Sequence, residues 1–486
     1  VNRNLLITPI ILSIFISLIT NLLAQAPDTA WTRHFHRGSW EPVYSIQETS
    51  DEGFIMVGPS HLLNDNSSEA FLVKTDRNGD SLWSRVIGNN QHFYPNCVKE
   101  DPNGGYVIVG EKQNLSGPSE AFVVKTDENG DSLWSFFYGA SGNTLANYVT
   151  CTADTGYVVT GHQYVSTHQD IFACKLDAQG ASVWLKIYDR PGHESAACIN
   201  QTMDEGFLIG GKADYHTAGR YDFFVVKTDS VGDTLWTRTY GRSDDDYCYS
   251  CQQTSDSGFI FFGTTDTIIV SSYTHSLAIK TDTSGQVEWQ QIYYRGTGGD
   301  FGHSVQQTSD GGYIFGGNSL NPGQSQDFCF MRTDADGNIQ WIKTVGGAAT
   351  EFAYSVLQTA DGGYVLGGET SFIGSHGGDF WIVKLNAFPS SIEKKDLNMS
   401  TFQLFQNYPN PFNPVTTIEF FLPHADQVSL KIFNLLGEEV ATLLSDKLLS
   451  GHYYSEWDAR NYPSGIYYYK FQAGNYREVK KMILLK

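Results

Sequence analysis

Residues 302–344 read GHSVQQTSDGGYIFGGNSLNPGQSQDFCFMRTDADGNIQWIKT. Four short strand-forming runs lie in this stretch, at 302–308, 312–317, 327–333 and 338–344. The first two are joined through Ser309-Asp310-Gly311 and the last two through Asp334-Ala335-Asp336-Gly337, both Asp/Gly hairpin chemistry. The unit is not alone. A Gly-aromatic pair recurs at Gly53-Phe54, Gly105-Tyr106, Gly156-Tyr157, Gly206-Phe207, Gly258-Phe259, Gly312-Tyr313 and Gly363-Tyr364, at intervals of 52, 51, 50, 52, 54 and 51. A basic residue closes an apolar run at Lys74, Lys125, Lys175, Lys227, Lys280, Arg332 and Lys384, and Trp recurs at 31, 83, 134, 184, 236, 289 and 341. Three separate markers, each present seven times, define one repeated unit.

Four strands per repeat is the pattern of a β-propeller blade, and seven blades lie within the range that closes into a ring. The expected fold is therefore all-β, with a seven-bladed β-propeller over 27–388. The marker order also predicts how the ring shuts. Each Trp follows its Lys on a fourth strand, yet Lys384 has no Trp strand after it, while an unpartnered Trp strand, 31–36, begins the domain. The N-terminal strand is expected to complete the blade formed by 353–386. A Trp repeated in every blade reads as a wedge between neighbours rather than as a ring of sugar platforms. Asp76-Arg77-Asn78-Gly79-Asp80 has calcium-loop spacing, but its Gly is misplaced for an EF-hand and the copy at 177–181 is diluted, so it reads as a hairpin turn.

Composition sets the outer limits. The chain has 486 residues and a net charge of −21, which excludes a nucleic-acid partner because phosphate binding needs a basic surface. Hydrophobic residues at 41% exclude a disordered chain, and seven Cys exclude a disulfide scaffold. Arg3, the apolar stretch 5–23 and Ala24-Gln25-Ala26 read as a signal peptide over 1–26, so no permanent membrane span is expected. The absence of Cys before Cys97 argues against a lipid-attached signal.

Composition shifts after Phe388. Residues 389–401 read as a linker, and 402–486 carries eight Lys+Arg against eight Asp+Glu, so the acidity belongs to 27–388. Alternation at 416–422 and 428–433 with a turn at 434–438 suggests a small Ig-like β-sandwich. Pro409, Pro411 and Pro414 stiffen its entry. The stretch NYPNPFNP at 407–414, LKIFNLLGEEV at 430–440, Gly451, Trp457-Asp458, Ser464-Gly465-Ile466-Tyr467 and KKMILLK at 480–486 resemble the type A sorting domain of the type IX secretion system of the Bacteroidetes and related bacteria. The resemblance implies passage through the periplasm and across the outer membrane, with the type IX machinery as partner and a secreted or cell-surface destination. It implies sorting-signal roles for Asn407, Pro409, Pro411, Gly437, Gly465, Lys481 and Lys486. The repeats in turn resemble the β-propeller repeats of exported bacterial proteins. Asp76, Gly79 and Trp83 are similar to the tryptophan-docking repeat of quinoprotein dehydrogenases, and Tyr313-Ile314-Phe315-Gly316-Gly317 to kelch. The quinoprotein likeness would imply a quinone and calcium, but the adjacent Cys-Cys pair of those enzymes is missing.

Two recurring acidic sets supply candidate sites. One comprises Glu41, Phe93, Thr144, Glu194, Asp246, Asp300 and Glu351; the other, five residues before each marker cation, comprises Glu69, Glu120, Asp170, Asp222, His275, Asp327 and Asp379. Alternating strand directions place both at one face of the disc, the first set nearer the axis. Carboxylates gathered at a channel mouth would raise one another's pKa or hold a cation, Ca2+ being the candidate, or a basic ligand. Residues that break the repeat gather at the same strand entries: Trp40, Phe93, Tyr94, His193, Asp244, Asp245, Tyr247 and His303, aromatics beside carboxylates that suit a glycan or a basic peptide. No H-E-x-x-H, G-x-S-x-G or P-loop pattern is present. Cys248-Tyr249-Ser250-Cys251 lies on a strand whose alternation should send the two thiols to opposite faces, and Cys97 and Cys198 fill a small-residue packing slot. These readings favour an exported binding or adhesion module for glycan or protein, ahead of an extracellular hydrolase or lyase using rim carboxylates, or a structural spacer.

Overall fold

The computed structural model describes residues 26–485 except 62–66, 89–91, 140–141, 166–167, 191, 215–220, 242–244, 268–272, 294–299, 321–324, 372–377, 388–401, 408–409, 411, 425 and 449–450. Residues 1–25 of the stretch read as a signal peptide, and the expected linker at 389–401, fall outside the described residues. Every regular element described is a β-strand, and the chain divides into two compact units, 25–390 and 391–486.

The first unit contains seven four-stranded antiparallel sheets, six of them contiguous in sequence. In the sixth repeat the strands run Asp300–Gln307, Tyr313–Leu320, Gln326–Thr333 and Ile339–Val345, close to the runs read from the sequence. The turns follow from their residues. Asp76 Oδ1 accepts the Asn78 and Asp80 amides at 2.8 and 2.9 Å, and Asp334 Oδ1 accepts those of Asp336 and Asn338 at 3.0 and 2.8 Å. The carboxylate is thus occupied by its own turn, as in an Asx-turn. Gly79, Gly130, Gly180, Gly232, Gly285 and Gly337 in these turns have φ between 77° and 83°, a left-handed conformation that a side chain disfavours.

The seventh sheet is built from both ends of the unit. Strands Glu351–Gln358, Tyr364–Thr370 and Asp379–Leu385 are joined by Thr29–Phe35, which pairs antiparallel to the last of them with Trp31 opposite Lys384 and Phe35 opposite Phe380. The Asn386 amide donates to Asp28 O at 2.9 Å and extends the pairing.

Each sheet leans on the next through one recurring contact. Trp31, Trp83, Trp134, Trp184, Trp236, Trp289 and Trp341 pack edge-on against Phe54, Tyr106, Tyr157, Phe207, Phe259, Tyr313 and Tyr364 of the following sheet, with ring centroids 5.4–5.9 Å apart. Six of these indoles also cover the turn glycines of the following sheet, where a Cβ would sit 2.7–3.1 Å from an indole carbon or the neighbouring Tyr240 hydroxyl. The wedge role expected of Trp is what the geometry displays. Hydrogen bonds fix the same junctions. The last residue of a first strand accepts a turn amide of the preceding sheet: Glu100 from Ser50 at 2.7 Å, Gln201 from Ala153 at 2.8 Å, Gln307 from Ser255 at 2.7 Å, and Glu48 from Ala360 at 2.8 Å. The last of these links the seventh sheet to the first, and one core of Val43, Ile46, Phe54, Leu357, Val365 and Phe380 spans that junction.

The marker cations have their explanation here. Each is buried, and its terminal nitrogen reaches a turn carboxylate of its own sheet: Lys74 to Asp51 at 2.9 Å, Lys175 to Asp154 at 2.6 Å, Lys227 to Asp204 at 2.8 Å, Lys384 to Asp361 at 2.7 Å, and Arg332 to Asp310. The second unit, seen from 402 onward, has a three-stranded and a four-stranded sheet sharing one core that includes Ile418, Phe420, Leu430, Ile432, Tyr469, Phe471 and Leu484.

Removing residues 27–37 should lower the melting temperature of the full chain sharply, because the last sheet loses a strand and the Trp31–Phe54 wedge together. Trp341→Ala, which empties a fully buried site, should cost about 3–5 kcal/mol in a urea melt. An unchanged midpoint in either variant would contradict the role given to these contacts.

Candidate functional site

The two ends of the sheets differ in chemistry. At the turn end, carboxylates meet cations, as above. At the entry end, where first strands begin, carboxylates meet carboxylates. Glu41, Glu194, Asp246 and Glu351 are all buried. Each lies at a junction, beside the acid of the preceding sheet from the second recurring set. Glu351 meets Asp327, Glu194 meets Asp170, and Gly241 lies between Asp222 and Asp246. Glu41 faces Asp379 across His36. The sequence placed both sets at one end; the structure brings them together as pairs inside the junctions rather than as carboxylates open to a channel. The Asp300 side chain lies outside the described residues, and Phe93 departs from the set, packing on Phe122 in the core with centroids 4.9 Å apart.

Burial, and then the neighbouring acid, push the Glu194 carboxyl up to about 7. Glu351 is also pushed up to about 7, by burial first and by Asp327, against the lowering hydrogen bond from Thr370 Oγ1 at 3.2 Å. Glycine is required above the latter pair, because a Cβ on Gly346 would collide with both carboxylates.

Over these pairs lies an aromatic array. In six of the seven first strands a β-bulge inserts one residue, for example between Cys248 and Ser250, Gly302 and Ser304, and Ala353 and Ser355. A bulge redirects the extra side chain, and here it is Tyr249, His303 or Tyr354; Tyr44 holds the corresponding place in the first repeat. Ring contacts run without a break through Tyr44–Tyr354 at 5.1 Å, Tyr354–His303 at 5.5 Å, His303–Tyr249 at 5.3 Å, Tyr249–Tyr247 at 6.4 Å and Tyr247–Tyr221 at 5.6 Å. Six rings from five sheets therefore touch in series, all at least partly exposed. Lys212 Nζ sits 4.6 and 4.8 Å from the Tyr221 and Tyr247 rings. A second group, Trp40, His61 and Tyr94, has centroid spacings of 5.1 and 5.8 Å. Glu369 connects the two groups, accepting from Trp40 and from the Tyr354 hydroxyl at 3.4 Å.

Burial pushes the His303 imidazole down to about 4, and burial and then Lys212 do the same to His162, whose Nδ1 lies 2.9 Å from Ser195 Oγ. Both rings are neutral at pH 7. The Tyr247 phenol is pushed up to about 12, first by burial and then by Asp245. The array is therefore a surface of neutral rings with Lys212 beside them and the carboxylates of Glu369, Asp245 and Asp266 at its edges, suited to stacking and hydrogen bonding. Trp40, Tyr247 and His303 were legible as breaks in the repeat; Tyr44, Tyr249, Tyr354, Tyr221, Lys212, His61 and Glu369 were not singled out. The available signal was the ring at the bulge position of three successive repeats, Tyr249, His303 and Tyr354, where the other three bulges carry Asn96, Asn147 and Ala197.

The reading of Cys248-Tyr249-Ser250-Cys251 is corrected. The bulge at Tyr249 shifts the alternation by one, so both thiols turn to the buried side. They join Cys198, whose Sγ lies 2.9 Å from that of Cys251, around Gly210. The seven cysteines are free thiols, and Cys97 and Cys198 fill packing positions as expected.

In the second unit Asn407 is buried, its amide donating to the Tyr469 hydroxyl at 2.8 Å and its Nδ2 to Thr416 Oγ1 at 2.9 Å. Gly437 takes φ 78° in the turn after Asn434, Gly465 opens the strand Gly465–Ala473, and Lys481 O accepts Gln406 Nε2 at 2.8 Å. Pro409, Pro411 and Lys486 lie outside the described residues.

The family model of the secretion system C-terminal sorting domain matches residues 406–485. The chain thus carries a type IX sorting tail, which directs export to the cell surface or secretion through the outer membrane and implies contact with the secretion machinery. No helix among the described residues is long and apolar enough to cross a membrane. No curated protein matches the chain. Among solved structures, it is similar to PorZ, an essential bacterial surface component of the type IX secretion system of Porphyromonas gingivalis, at 9% identity over 91% of this chain and 59% of that one, with a TM-score of 0.45. The chain thus spans 59% of that protein's length. It is similar to the polysaccharide lyase Uly1 at 10% identity over 71% and 90%, TM-score 0.47. It is also similar to the β-propeller domain of the Trilobed protease from Pyrococcus furiosus, at 13% identity over 69% and 92%, TM-score 0.40. At these scores none of the three informs the site.

Two measurements follow. The folded chain keeps protons on Glu194 and Glu351 up to about pH 7, whereas the unfolded chain releases them near 4.5. These groups therefore withdraw stability as pH rises from about 4.5 through 7. In urea melts at pH 5 and pH 8, Glu194→Gln should lose less stability across that interval than the parent; equal losses would refute the assignment. Burial, together with the neighbouring thiols, raises the Cys198 pKa well above its ordinary value, so native protein should leave Cys198 unalkylated by iodoacetamide at pH 8 while urea-unfolded protein is labelled. Mass spectrometry of tryptic peptides distinguishes the two.

Proposed function

We propose that residues 27–388 form a closed seven-bladed β-propeller whose aromatic face binds an extracellular glycan or protein after a signal peptide at 1–26 and the sorting sandwich at 402–486 have carried it out of the cell. Closure is supported by the strand Thr29–Phe35 completing the last sheet and by the Trp31–Phe54 contact at the remaining junction. The binding reading rests on one observation, the unbroken series Tyr44, Tyr354, His303, Tyr249, Tyr247 and Tyr221.

Rings in series present π-faces to the apolar faces of successive sugars or to apolar side chains. Lys212 and Asp245 at the margins can hydrogen-bond hydroxyls and fix orientation. A glycan fits this arrangement best, since neutral rings make up the series and sugar hydroxyls can pair with the polar groups at its edges. The hydrolase reading draws less support. Glu41, Glu194, Asp246 and Glu351 are buried in acid pairs, and the sequence carries no recognised hydrolytic motif. A spacer needs no exposed aromatic series.

The test is a glycan array and a peptide library probed with the mature chain, alongside a panel of glycosidase and lyase substrates. Tyr249→Ala with Tyr354→Ala should weaken the best ligand at least tenfold, with the melting temperature of the chain as the folding control, because each stacking ring contributes about 0.5–1.5 kcal/mol beyond its buried area. Binding unaffected by the double substitution, or turnover of a panel substrate abolished by Glu351→Gln, would displace this reading.

A further inference from the structure

The junction between the last and first sheets differs from the others at its entry end. His36 follows the strand Thr29–Phe35 and, with Phe35 opposite Phe380, comes to lie beside Asp379. The Glu41 amide, five residues further on, donates to Gly378 O at 2.7 Å, which brings its side chain to the same point. His36 Nδ1 is 2.7 Å from Asp379 Oδ1 and 3.5 Å from Glu41 Oε2, and one donor atom from each residue falls within 4.8 Å of the other two. Elsewhere the paired acids face each other directly, as Glu194 does Asp170 and Glu351 does Asp327. Here an imidazole stands between them.

The Glu41 carboxylate is the second observation. It has no solvent exposure, and its Oε1 accepts from Gly38 N and from Ser60 Oγ at 3.1 Å. Its Oε2, directed at the cluster, accepts no hydrogen bond. A buried carboxylate oxygen without a donor is costly unless a positive charge faces it. The neighbouring cations are otherwise engaged. Arg37 pairs with Glu69 at 2.7 Å, and the His34 ring stacks on Trp381 with centroids 5.8 Å apart. His36 is half exposed, so the cluster opens to solvent on that side and leaves coordination positions for water.

We propose that His36, Glu41 and Asp379 hold one divalent transition-metal ion, zinc or manganese, which ties the N-terminal strand to the first and last sheets. Two carboxylates balance a dication, and one imidazole nitrogen with two oxygens suits these ions. Calcium, which takes six to eight oxygens, suits the set poorly. The ion would join the stretch 36–41 to Asp379, 343 positions from His36, so its binding energy would appear as stability of the strand that completes the last sheet. The proposal does not depend on what the aromatic face binds.

The experiment uses the mature full chain, stripped with EDTA and dialysed, then titrated separately with zinc, manganese and calcium chlorides. Elemental analysis should find one zinc or manganese per chain, with a melting temperature higher by several degrees and calcium binding at least tenfold weaker. His36→Ala and Asp379→Asn should each weaken zinc or manganese binding at least tenfold while their metal-free melting temperatures stay near that of the metal-free parent. X-ray absorption on the unmutated zinc-loaded chain should show imidazole scattering, a result that does not require any variant to fold. Absence of stoichiometric metal, calcium binding equal to zinc, a His36→Ala chain that binds metal like the parent, or a spectrum without imidazole would each overturn the site.

Discussion

The fold depends on one indole set against one ring of the next sheet. Seven times, a Trp on a fourth strand meets the Phe or Tyr that begins the following sheet's second strand. A four-stranded sheet cannot bury both faces alone, so its stability comes from its neighbours. The wedge supplies apolar burial at each junction, and six of the indoles press against turn glycines where a side chain would collide. Hence the Trp and the Gly recur with the same period: each is the condition for the other across a junction.

Around that contact the two ends of each sheet are finished differently. The turn end is a matched system, in which buried Lys or Arg meets a turn carboxylate and Gln or Glu caps an amide of the neighbouring sheet. Its buried cations each have a carboxylate partner. The entry end is not matched in this way. Glu194 and Glu351 are pushed up to about 7, first by burial and then by the acids they face, and partly exposed rings replace the charged pairs above them. Perturbed acids and exposed aromatics together on one side of a repeat structure are the features that make it the candidate site.

The architecture was legible because its signals are local and repeated. The Gly-aromatic pair, the basic residue and the Trp each report one strand position, and the lone Trp31 strand together with the missing partner after Lys384 foretold the pairing of Thr29–Phe35 with Asp379–Leu385. The site was legible only in part. Trp40, Tyr247 and His303 broke the pattern and were visible for that reason. Lys212, Glu369 and Tyr221 reach the array from second and third strands of different repeats, and no spacing in the chain connects them. The acidic sets were found as periodic positions, but their pairing across junctions was not. The thiols of Cys248 and Cys251 were misplaced because a bulge at Tyr249 cancels the strict alternation of a strand.

The chain alone thus determined the number of repeats, the strand order within each, the location of the Trp wedge and the sorting character of 402–486. All of these depend on short-range periodicity and turn chemistry, which a linear reading captures. Tertiary structure decided which carboxylate meets which, which rings touch, and that His36, Glu41 and Asp379 share one point. Those facts arise from bulges and from packing between sheets, where residues separated by fifty or by more than three hundred positions come within a few ångströms.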